Sequence, residues 1–103
     1  MLIVLSSQGD NLDAELDPRF GRCKYFIFYD TESLSFEYKQ NPYINASGGA
    51  GVQASQYVIS KNPHAIITGS LGPKALALIE SSGIKYITNV SGSINHLIKE
   101  YGV

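Results

Sequence analysis

Two runs in this chain, Leu2-Ile3-Val4-Leu5 and Ala65-Ile66-Ile67, are apolar at every position instead of alternating with polar residues. A strand with one wet face alternates. A strand covered on both faces does not. The chain therefore needs apolar helices on each side of a sheet, and three helical stripes supply them. Ala50, Ala54, Tyr57 and Val58 recur at helical spacing, as do Leu71, Ala75, Leu78 and Ile79, and then Ile94, Leu97, Ile98 and Tyr101.

The remaining segments complete the order. Tyr25-Phe26-Ile27-Phe28-Tyr29 is a bulky strand. Asp30-Thr31-Glu32-Ser33 is turn chemistry. Leu34, Phe36 and Tyr38 alternate with Ser35, Glu37 and Lys39, which predicts a half-exposed edge strand paired with the preceding one as a hairpin. Asn41-Pro42 stops the sheet, since proline cannot donate to a ladder. Helix one is expected over about 49 to 60 and ends at Asn62-Pro63. Helix two starts at Pro73 and stops at Gly83. Ile84-Lys85-Tyr86-Ile87 is the fifth strand. Ser91 is expected to cap helix three, and Gly102 to close it.

The order is β-β-β-α-β-α-β-α. Alternating directions and right-handed crossovers give a three-layer α/β/α domain over residues 1–103 with a mixed five-stranded sheet in the order 3-2-1-4-5. Helices one and two share a face, and helix three covers the other. Every helix then begins at one edge, where ligands of open α/β sheets bind. That edge collects Ser47-Gly48-Gly49-Ala50-Gly51, Thr68-Gly69-Ser70-Leu71-Gly72 and Ser91-Gly92-Ser93. Glycine lets a backbone approach a ligand closely, and free first-turn amides attract anions. The same glycines also suit tight strand-to-helix turns with no ligand. No Gly-Lys-Ser/Thr follows them, which argues against a Walker nucleotide site.

Arg19 and Arg22 flank Phe20-Gly21 at this edge, either as a cationic wall for an anion or, for Arg19, as a solvated partner of Asp17. Cys23 lies between Arg22 and Lys24. Cations beside a thiol lower its pKa and favour the thiolate, which ligates metals, whereas a buried thiol is a small structural residue. One cysteine makes no structural zinc site but could be one ligand to a preassembled cluster. His64 falls at the opposite edge, and His96 turns away from the stripe of helix three. Neither builds a catalytic arrangement with a nucleophile. Nuclease chemistry on this strand order needs carboxylates on the central strands, and Leu2-Ile3-Val4-Leu5-Ser6 has none.

Of 103 residues, 44% are apolar and 17% charged, with a net charge of −1, so no basic field for nucleic acid exists at the level of the whole chain. The lone cysteine excludes an internal disulfide, no run reaches the length of a membrane span, and no signal core is visible. A cytoplasmic location is expected.

Asp17-x-Arg19-Phe20-Gly21, Gly49-Ala50-Gly51-x-Gln53-Ala54 and Ile67-Thr68-Gly69-x-x-Gly72-Pro73-x-Ala75 together resemble the dinitrogenase iron–molybdenum cofactor biosynthesis family over nearly the whole chain. The resemblance implies a ribonuclease-H-like fold. It also implies a non-enzymatic carrier or binding protein for an iron–sulfur or iron–molybdenum-type cluster or precursor, exchanging it with a donor or acceptor protein. Where the nitrogenase carriers tend to have a histidine before Phe-Gly, this chain has Arg19. Cys23 is then the one evident soft ligand and the expected metal residue. The expected binding set is Arg19, Phe20, Gly21, Arg22, Cys23, Gly49, Ala50, Gly51, Gly69, Ser70 and Gly72. A metal-free module for a phosphate metabolite or other small anion is the competing expectation.

Overall fold

The computed structural model describes residues 1–102. Strands β1 (Leu2–Ser7), β2 (Tyr25–Asp30) and β3 (Ser35–Gln40) precede α1 (Ala50–Ser60), β4 (Ala65–Ile67), α2 (Pro73–Ser82), β5 (Lys85–Ile87) and α3 (Ile94–Tyr101). The sheet runs β3-β2-β1-β4-β5. β2 is antiparallel to both β1 and β3, while β4 is parallel to β1 and to β5. This is the expected ribonuclease-H-like α/β order.

The uninterrupted apolar runs sit where two cores meet. Ile3, Leu5, Ala65 and Ile67 face α3 and pack with Ile94, Leu97 and Ile98. Val4 and Ile66, one residue out of phase, face α1 and α2 and pack with Ala54, Val58 and Ile79. A strand whose successive side chains enter different cores has no polar position to spare. Among the described residues, no helix is long and apolar enough to cross a membrane.

Two local expectations are corrected. Leu34 is not in β3 but in the preceding turn at φ 57, with 74% of its surface exposed. All of β3 is exposed rather than half-buried, because neither core reaches past β2. The cap of α3 is Ser93, not Ser91: its side chain accepts from the His96 amide, while Leu16 N–H donates to the Gly92 carbonyl and holds that turn at φ 124. His64 and His96 are both exposed, and His96 lies 3.0 Å from Glu100 one turn on.

Candidate functional site

The carboxyl ends of β1 and β4 finish in buried hydroxyls, Ser6 and Thr68, rather than carboxylates. Ser6 Oγ donates to the Asp17 carbonyl at 2.7 Å, so Thr68 Oγ1, also at 2.7 Å, donates to Ser6. This pair anchors the loop that crosses the sheet edge, and the Asp17 amide returns a bond to the Ser6 carbonyl. Past Asp17 the loop is laced to the β4–α2 turn. Ser70 Oγ donates to the Pro18 carbonyl at 2.8 Å, and the Phe20 amide donates to the Ser70 carbonyl. Phe20 drops into the core against Phe26, with ring centroids 5.4 Å apart.

Glycine is obligatory at two contacts in this lacing. A Cβ on Gly69 would lie 2.5 Å from Pro18 Cα, and one on Gly21 would lie 2.7 Å from the Gly51 nitrogen. These two serve backbone packing, as the turn reading required. Gly49 serves conformation, at φ 69. Gly72 serves neither: its φ is −66 and a Cβ there would meet nothing within 4 Å. The fold does not need a glycine at that position.

That open side is a cleft of about 520 Å³ between the starts of α1 and α2. The cleft brings together Arg19, Phe20, Gly21, Arg22, Gly49, Ala50, Gly51, Ser70 and Gly72 of the expected set. Gly69 and Cys23 do not line it. Lys74 and Val52 do. No acidic residue lines it, so its charges are all positive: Arg19, Arg22 and Lys74.

The two helix starts differ from the third. Among the described residues, no side chain caps α1 or α2, and neither has an acid in its first turn. The amides of Ala50, Gly51, Lys74 and Ala75 receive no acceptor from a neighbouring loop. In α3 the amides of Ile94 and Asn95 donate to the Ala14 and Leu12 carbonyls, and His96 donates to Ser93. The third glycine-containing turn is thus closed by its own chain, and α3 takes no part in the cleft. Uncapped helix starts carry partial positive charge and aimed N–H donors. Lys74 adds a cation at an end where the helix dipole disfavours one. A lysine opening a helix that lacks any first-turn acid was the sequence signal for this residue.

The two arginines hold different posts. Arg19 is 66% exposed and leans on Asp17, with Nε 3.4 Å from Oδ1, while its own amide donates to the same oxygen at 2.9 Å. The buried carboxylate of Asp17 aims Arg19 rather than removing it from the cleft. Arg22 Nη1 donates to the carbonyls of Ile44 and Ala46 at 2.9 and 2.7 Å, fastening the segment before α1. Asn41 does the same from below: its Nδ2 donates to the Gly21 and Cys23 carbonyls and its Oδ1 accepts from Tyr43. The sequence marked Asn41 only as the end of a strand.

Cys23 is where the structure departs furthest from expectation. It is fully buried among Phe20, Phe26 and Val4, and its pKa is pushed up from 9.0 to about 12, not lowered. Burial is the main cause, with Asp17 adding repulsion. The flanking cations do not offset this. Arg22 is spent on loop carbonyls, and Lys24 is exposed with its ammonium 5.9 Å from the Tyr25 ring. A raised thiol pKa gives stability that is full below the unfolded value and is lost as pH climbs from about 9 toward 12. Urea unfolding between those limits will show wild type losing up to about 1.4 kcal/mol per pH unit more than Cys23→Ala. Parallel curves for the two proteins would mean that the thiol ionises as easily folded as unfolded. Tyr57 and Tyr86, whose pKa values are also raised, contribute equally to both curves.

Known proteins share this frame. The apo form of the orange protein from Desulfovibrio gigas superposes with a TM-score of 0.91 at 30% identity, covering 97% of this chain and 85% of that one. A NifB-like protein of the DUF35 family from Thermotoga superposes at 0.82 with 29% identity, over 98% and 86% of the two chains. An uncharacterized protein of Methanocaldococcus jannaschii is 30% identical over 87 residues, 82% of this chain and 74% of its own length. The profile of the dinitrogenase iron-molybdenum cofactor family matches residues 1–102. With that match running from β1 through α3, the chain belongs to the dinitrogenase iron-molybdenum cofactor family.

Proposed function

We propose that this protein is a non-enzymatic carrier that holds an anionic metallocluster, or a precursor of one, in the cleft between α1 and α2. The observation that carries the reading is the pair of uncapped, acid-free helix starts facing a cleft whose charges are all positive. Family membership and the apo orange protein's likeness support a cofactor-related cargo over a generic anion. The donors present are N–H groups, which suit the sulfides of a cluster that arrives already built. Among the described residues, no three His, Cys, Asp or Glu side chains converge to assemble a metal from free ions. Cys23, expected as the ligand, faces the core, so the proposed hold is made by amides, guanidinium and ammonium groups. Passing the cluster to an acceptor protein then needs no ligand exchange on this side, since the hold is made of hydrogen bonds and charge.

Anaerobic loading with a preformed, thiolate-ligated iron–sulfur cluster, read by absorption and EPR, tests this on wild type and Cys23→Ser. Equal cluster signals in both proteins are expected. Loss of the signal in a folded Cys23→Ser protein would restore the thiolate as ligand. Wild-type protein that takes up no iron yet binds sulfate or phosphate would make the cleft a simple anion site.

A further inference from the structure

β3 ends the sheet, and among the described residues its outer edge pairs with no other strand. We propose that two copies of this chain associate through antiparallel β3–β3 pairing about a twofold axis at Tyr38, joining their sheets into one.

A twofold perpendicular to the sheet keeps each side chain on its own face, so partners must be an even number of positions apart in sequence or identical. Centring on Tyr38 sets Glu37 opposite Lys39 of the second copy, and Lys39 opposite its Glu37. Centring on Glu37 or Lys39 instead would oppose like charges. Among the described residues, neither Glu37 nor Lys39 has an ion-pair partner within the chain. They stand on the α1 side of the strand, opposite Phe28 and Phe26 of β2.

The backbone phase agrees with this register. The Asn41 amide donates to the Lys24 carbonyl, toward β2. With a period of two, the amides and carbonyls of Phe36, Tyr38 and Gln40 point to the open edge. Tyr38 then exchanges bonds with its copy, Phe36 exchanges with Gln40, and about six hydrogen bonds form. Glu37 and Lys39 fall in the non-hydrogen-bonded pairs, where side chains across an antiparallel ladder come closest.

The other face supplies apolar contact. Phe36 and Tyr38 are 38% and 50% exposed and lie on the α3 side of the sheet, beyond the reach of α3. Tyr38 meets Tyr25 edge-on with centroids 5.9 Å apart, so the strand offers a supported aromatic surface. Strand, charge pattern and aromatic face are thus complementary to one partner, a second copy. Edge strands are usually guarded by proline, bulges or unpaired charges. β3 contains no proline, and in this register its charges match rather than repel.

Sedimentation equilibrium across about 10 μM to 1 mM tests the pairing at concentrations suited to a small interface. Wild type is expected to dimerise reversibly. Glu37→Lys and Lys39→Glu, each on an exposed strand position, are expected to weaken self-association at least about tenfold by opposing like charges. Mixing the two variants must restore association as a heterodimer, because each then meets its opposite. Circular dichroism confirms that the variants are folded. A monomer throughout the range, or a dimer insensitive to both reversals, would overturn the proposal. So would singly reversed proteins that fail to associate when mixed although each is folded and wild type dimerises.

Discussion

Gly69→Ala will lower the melting temperature by roughly 10–20 °C. Its new methyl would stand 2.5 Å from Pro18 Cα and 2.7 Å from the Pro18 carbonyl oxygen, both backbone atoms that no rotamer change can move. Pro18 is itself fastened by Ser70 Oγ, so relief requires breaking the lacing of two loops. Overpacking of this kind costs about 3 kcal/mol. Gly72→Ala is the control. Its methyl would enter empty space at an ordinary φ, so stability should change by less than about 1 kcal/mol. Differential scanning calorimetry of both variants reads the contrast. Equal effects at the two positions would mean that the loops do not approach as described.

Removing Arg19 and Lys74 together should weaken cargo retention about 100-fold, while each single alanine variant costs about tenfold. Both side chains line the cleft, and losing Arg19 also leaves the Asp17 carboxylate beside it without its guanidinium partner, which acts in the same direction. The lower end of the range for charged hydrogen bonds applies because Arg19 is 66% exposed and screened by solvent. The measurement is cluster retention on anaerobic desalting at increasing salt, where screening should weaken wild-type retention too. Lys24→Ala serves as the comparison, since its side chain is exposed outside that cleft. A double variant that keeps wild-type retention would remove the electrostatic basis of the proposed hold.

What could be read from the residues followed from repeating physical rules. The unbroken apolar runs demanded two helical layers, and the directions implied by each connection gave the strand order without reference to contacts. The cleft residues were legible because glycine and helix starts coincide at Gly49 and Gly72. Cys23 was misread because neighbours in sequence need not face the residue between them, and here Arg22 lies in a turn and Lys24 at a bend. Arg22 and Lys24 accordingly face elsewhere, and only the core shows where the thiol lies. Arg22's carbonyl partners are 22 and 24 positions away, which no local pattern encodes. The choice between Ser91 and Ser93 as cap rested on a tertiary bond from Leu16. Gly21 and Gly69 looked like ligand-facing glycines, yet each is required by a backbone crossing visible only in three dimensions.

In the proposed hold, cargo sits at the starts of α1 and α2 and not at the thiol. Amide-resolved NMR of protein loaded anaerobically with a preformed iron–sulfur cluster tests it directly, because a paramagnetic cluster broadens the signals nearest to it. Broadening is expected to centre on Gly49, Ala50, Gly51, Lys74 and Ala75, to spare Ile94 and Asn95 at the closed start of α3, and to be unchanged in Cys23→Ser. Broadening centred on the free edge of β3 or on α3, or a pattern that disappears with Cys23→Ser, would contradict it.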